Sequence, residues 1–191
     1  MLYLILGLVL FLGIHSVRIV APGWAQGRKA SMGEGPWKGL YSLVSVIGFV
    51  LIVWGFGQAR WSAPVVWSPP FWLGHVTALL MVFAMIALAA YMLPAGRIKA
   101  MLKHPMLVAV KIWALGHLLI NGDLASIILF GSFLAWAVLD RISLKRRGAA
   151  VPPAGPVTWD IATLVLGLAL YGLFIWKLHL WLFGVVPLTT P

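Results

Sequence analysis

Six stretches of this chain pass almost without charge: near Leu2–Val20, Gly39–Gln58, Pro70–Leu93, Pro105–Ile120, Leu124–Leu139 and Thr158–Phe183. A helix needs about 20 predominantly apolar residues to cross a bilayer. Four of the six reach that length. Pro105–Ile120 and Leu124–Leu139 are shorter and read as a compact helical hairpin joined by Asn121-Gly122-Asp123. Gly122 suits the left-handed residue that closes a helix. Asp123 suits the N-cap of the next one. The expectation is an all-α, polytopic bundle of six transmembrane helices forming one domain over residues 1–191.

Composition agrees with this reading. Hydrophobic residues make up 62% of the chain and charged residues 9%, against roughly 25% charged in soluble domains. Mean hydropathy is +1.02. The chain opens apolar at Met1 with no positive segment ahead of it. It therefore reads as a retained first helix rather than a cleaved signal.

The charge balance is a matter of topology. The net charge is +10, from 14 Lys and Arg against Glu34, Asp123, Asp140 and Asp160. In a soluble chain such a balance would point to nucleic acid. Here the cations sit in short loops. Arg28, Lys29 and Lys38 lie in the first, Arg97, Lys99 and Lys103 in the third, and Arg141, Lys145, Arg146 and Arg147 in the fifth. The even loops hold only Arg60, and no cation follows His179. The positive-inside rule puts the odd loops in the cytoplasm and both termini on the outer, periplasmic side of a bacterial inner membrane. The partner expected is the lipid bilayer, not nucleic acid.

Tryptophans mark both interfaces, with Trp61, Trp67, Trp72, Trp176 and Trp181 outside and Trp24, Trp37 and Trp159 inside. Residues 147–157, rich in Pro, Gly and Ala, form a cytoplasmic linker before the last helix.

Cysteine is absent, which excludes disulfides, iron–sulfur clusters, thiolate haem ligation and c-type haem attachment. Four carboxylates supply a carboxylate-bridged metal site or proton relay poorly. What remains is histidine. Ionisable residues inside spans are costly and mark functional sites by default.

His15 lies two thirds of the way along the first helix, with Arg18 three residues on and on the same face. It reads either as a hydrogen-bonded helix contact or as a metal or haem ligand with a cation beside it. Trp113, His117 and Asn121 recur every four residues, so they form one stripe. That stripe is either a pocket wall or an interhelical contact with small-residue packing at Ala114 and Gly116.

His104 precedes Pro105 and can cap the helix at the inner surface. It is about 20 Å from His117 along the helix, so the two do not share one ion. Lys111 snorkels to the interface or meets a ligand carboxylate. His75 and His179 read as interfacial and structural.

Gly13-Ile14-His15-Ser16, His104-Pro105, Trp113…His117…Asn121-Gly122-Asp123 and Phe130-Gly131, in this order and spacing, resemble the NnrU family. This is a bacterial membrane family named from gene clusters for nitric oxide and nitrite reduction. The family is similar to plant 15-cis-ζ-carotene isomerase, an integral membrane enzyme carrying haem b. The resemblance implies haem b (protohaem IX) with its iron held by His15 and His117. Trp113, Asn121 and His104 would then belong to the haem site, with Arg18 and Lys111 toward the propionates. It also implies redox or isomerase-like chemistry on a hydrophobic small molecule. The plant enzyme's cysteine three residues before its second histidine is replaced here by Ala114, which removes ligand exchange of that kind.

Two other readings stand beside it. One is a haem-free, methyltransferase-like enzyme with a site near His104, from a fainter resemblance to isoprenylcysteine carboxyl methyltransferases. The other is an assembly factor or small transporter. The sequence does not set the oligomeric state.

Overall fold

The structure is a computed structural model that describes residues 1–187. The main elements are α1 (Leu2–Val20), α2 (Pro22–Met32), α3 (Glu34–Ala59), α4 (Leu73–Met92), α5 (Arg97–Leu102), α6 (Pro105–Ile120), α7 (Leu124–Arg146) and α8 (Val157–Leu173). A π-helical turn, Phe174–Leu178, and α9 (His179–Phe183) continue α8. Strands are absent among the described residues, apart from one isolated bridge between Val65 and Asp123.

Among the described residues five helices are long and apolar enough to cross a membrane: α1, α3, α4, α7 and the continuous run Val157–Phe183. α6 is apolar but only 16 residues long. The large side chains of Val9, Leu43, Val53, Leu79 and Phe83 are exposed on these helices, as lipid-facing positions require. The last residues of the uncharged tail, 188–191, lie outside the described residues.

Several expected boundaries move. α3 begins five residues before Gly39, and α7 runs on from Leu139 to Arg146. Apolar patterning marks the lipid-facing part of a helix and not its polar extension. Residues 22–32 form α2 instead of a loop. Pro22 sits in its first turn, where a missing N–H costs nothing. Gly33, at φ +84°, breaks the chain between α2 and α3.

The chain divides into two compact units. The first joins Met1–Trp67 to Gly122–Arg147, and the second joins Ser68–Asn121 to the chain from Gly148 onward. α6 and α7, read from sequence as a hairpin, belong to different units.

In the first unit α1 packs along α3, and α7 packs on both. Glycines set the α1–α3 seam. A Cβ on Gly7 would stand 2.6 Å from Ile52 N, and one on Gly48 would stand 2.7 Å from Phe11 N. Small residues at such seams let backbones approach, which is the main route to helix association in lipid. The Val65–Asp123 bridge holds the segment after α3 against the start of α7. Val66 N donates to Gly122 O (2.8 Å), and Leu124 N donates to Pro64 O (3.0 Å).

Gly122 is needed here, but not for a left-handed backbone: the positive-φ glycines are Gly33, Gly148 and Gly184. A side chain at Gly122 would collide with the Trp67 carbonyl. Asp123 is the N-cap of α7, its Oδ1 accepting from Ser126 N at 2.9 Å.

In the second unit α4 packs between α6 and α8 through buried Ala84, Ala87, Ala89 and Ala90. Thr77 Oγ1 donates to Gly116 O across the α4–α6 seam (2.9 Å, buried). The end of the 147–157 linker is packed in place, with Gly155 against Ala95 O. Asp160 at the start of α8 accepts from Ile98 N (2.8 Å).

Candidate functional site

His117 is held on α6 by its own helix. Its Nδ1 lies 2.8 Å from Trp113 O, one turn back. A carbonyl only accepts, so Nδ1 carries the proton and the lone pair of the neutral ring sits on Nε2. Asn121 Nδ2 donates to His117 O (2.8 Å), satisfying a carbonyl at the end of α6. The Trp113 and His117 ring centres are 5.4 Å apart. The stripe expected from sequence is thus one connected group. Ala114 and Gly116, which flank the stripe on either side, are buried.

His179 joins this group, which sequence reasoning missed. Its ring centre is 6.4 Å from that of His117, and the two planes are inclined by 21°. Its Nδ1 lies 2.8 Å from Val185 O, so it too is set as the Nε2-lone-pair tautomer. His179 follows directly on the π-helical turn. Such a turn re-phases everything after it, by about 100° for one inserted residue. No spacing in the sequence reveals that rotation, and 62 residues separate the two histidines.

His15 belongs to the first unit. Its Nδ1 lies 2.6 Å from Phe11 O, giving the same tautomer by the same argument. Around it stand Phe11 (ring centres 4.4 Å apart), Tyr41 (5.2 Å) and Trp136 (6.0 Å, perpendicular). Trp136 Nε1 is buried without a hydrogen-bond partner among the described residues. Arg18, one turn on, is exposed at the end of α1.

The remaining expected residues are dispersed. His104 occupies the N-cap position of α6, where its carbonyl accepts from Val108 N (3.2 Å). Its side chain makes no capping bond to the helix. Lys103 before it takes φ +63°, unusual for a residue with a side chain. Lys111 is half-buried on α6. His75 is exposed beside Phe71. Trp113, His117 and Asn121 are therefore brought together, with His179 added. His104 sits at the far end of the same helix, and His15 and Arg18 stand in the other unit.

Chemically, the arrangement offers imidazoles whose Nδ1 is held on a backbone carbonyl, which makes Nε2 the ligating nitrogen of the neutral ring. A backbone carbonyl on the second ring nitrogen is the usual support of a metal-ligating histidine. No group of three or more His, Asp or Glu side chains converges among the described residues. Two imidazoles leave the remaining positions of a metal to water or to ligands that it brings with it, as a porphyrin-bound iron does.

Helices of this length and hydropathy define a multi-pass membrane protein. The chain belongs to the NnrU family, whose profile, described as NnrU protein, matches residues 3–187. No curated protein and no solved structure matches it.

Proposed function

We propose that this NnrU-family protein binds haem b in the membrane, with iron taken by histidine Nε2 atoms. The observation that carries the reading is the shared tautomer. His15 and His117 both give Nδ1 to a carbonyl of their own helix (2.6 and 2.8 Å), which orients the ring and raises its basicity as a ligand. The donor chemistry fits the group: uncharged imidazole in an apolar setting is a common axial ligand of haem iron.

His117 is the ligand backed by the built stripe. Bound haem would supply an iron that changes redox state. The chain's own residues fix that chemistry in place. Trp113 stands beside the His117 ring, Asn121 ties down the end of α6, and apolar helices exclude water. The reading carries redox or isomerase-like chemistry with it, linked through the family name to nitrite and nitric oxide metabolism.

The membrane arrangement proposed has six spans, with α6 as the short one, in a bacterial inner membrane. Basic segments at 28–38, 97–103 and 141–147 face the cytoplasm and both termini face outward. The test is direct. Protein expressed with haem supply and purified in detergent should show a Soret band, and His117→Ala should remove or shift it. A colourless protein that gains no Soret band on titration with hemin would end the haem reading.

A further inference from the structure

The His179 ring stands near that of His117, with the two planes close to parallel. Two imidazole nitrogens bound in line to one metal, each at about 2.0–2.1 Å, set the ring centres roughly 6 Å apart once ring size is added. The observed separation is 6.4 Å. Both rings hold Nδ1 to a backbone carbonyl, Trp113 O for one and Val185 O for the other. Both therefore carry the lone pair on Nε2. Both belong to the same compact unit, on elements whose geometry is fixed by local bonds.

The π-helical turn at Phe174–Leu178 adds a second, independent mark. Such turns are uncommon and concentrate at functional sites, and this one ends at the residue before His179. A ring contact alone would not need this arrangement. Phe183 already packs on His179 at 5.0 Å, and phenylalanine would serve at 179 as well.

We infer that His179, together with His117, forms a two-imidazole ligand pair for one transition-metal centre. The centre is haem iron if the function proposed above holds, and His179 would then be the second ligand in place of the His15 that the resemblance names. The inference rests on that reading only for the identity of the metal.

The experiment uses the full-length protein in detergent, loaded with hemin, and reads electronic absorption and electron paramagnetic resonance. Wild type should be six-coordinate and low-spin. His179→Phe keeps the ring and removes the nitrogen. It should turn the spectrum five-coordinate and high-spin, and imidazole in the buffer should restore the low-spin form. His15→Ala should stay low-spin. A low-spin His179→Phe beside a high-spin His15→Ala would overturn the inference and leave the haem reading standing.

If wild type takes no hemin, the haem reading fails, and copper(II) alone becomes the probe. One equivalent bound with nitrogen hyperfine structure, and lost in both His117→Phe and His179→Phe, supports the pair. Copper binding unchanged in either variant, or no copper binding at all, overturns it. Restoration by imidazole distinguishes a lost ligand from a misfolded variant.

Discussion

Gly48→Ala tests how the first unit is held together. Gly48 faces α1, and a Cβ built on it would stand 2.7 Å from Phe11 N and 3.0 Å from its Cα and Cβ. Ordinary contact begins near 3.4 Å, so the two backbones must part by about 0.7 Å. A gap of that order forfeits a quarter to a half of the dispersion well for each atom along the seam. The obstructing atoms are mainly backbone, so no side chain can swing aside.

Overpacking of this kind costs about 1–3 kcal/mol. Gly57 on the same helix is the matched control, because a Cβ there meets nothing within 4 Å. Gly57→Ala should gain up to about 1 kcal/mol from helix propensity. The two substitutions are chemically identical and should move stability in opposite directions. At roughly 2–4 °C per kcal/mol for a chain of this size, thermal unfolding in one detergent should separate them by several degrees. Equal shifts, or a Gly48→Ala protein more stable than wild type, would refute the glycine-seam account of α1–α3.

Three further substitutions probe single interactions. Thr77→Val keeps the side-chain shape but removes the bond to Gly116 O, and should cost about 0.6 kcal/mol, at most near 1.7; a loss above 3 kcal/mol in detergent unfolding would mean Thr77 does more than bridge α4 and α6. Asp123→Ala removes the cap on α7 and should cost about 1 kcal/mol, while Asp123→Asn should retain most of it; equal losses would show that charge and not capping matters there. Lys103→Gly should stabilise by about 1 kcal/mol, since relief of a positive-φ side chain outweighs glycine's entropy; a lower melting temperature would place Lys103's side chain in a contact that outweighs its backbone strain.

The apolar helices were legible because hydropathy is a property of runs: α1 and α6 fall on the boundaries read from the sequence, α4 and the last helix lie within three residues of theirs, and α3 starts five residues early while α7 ends seven residues late. α2 was not. Its sequence, PGWAQGRKASM, carries two glycines and no apolar stripe, so nothing in its periodicity announces a helix. The pairing of α6 with α4, and of α7 with α1, was hidden because a short loop implies adjacency. What decides the partner is where small residues allow contact. Asp123 as an N-cap was readable from local chemistry. Gly122 was read for the wrong reason, since close approach of Trp67 is a tertiary fact.

The site divides the same way. Trp113, His117 and Asn121 were visible as a helical stripe. His15 was visible as a costly residue in a span. His179 was assigned to the interface because it lies near the end of its helix among tryptophans. The π-helical turn that sets it beside His117 depends on backbone hydrogen bonding and leaves no pattern in the sequence.

The most direct test of the account is the haem content of the purified protein. A reduced-minus-oxidised spectrum together with a pyridine haemochrome assay gives both the type and the stoichiometry. The account predicts b-type haem near one per chain, with the Soret band lost or displaced in His117→Ala. Protein that stays monodisperse but binds no haem, or a His117→Ala variant with an unchanged spectrum at full occupancy, would contradict it.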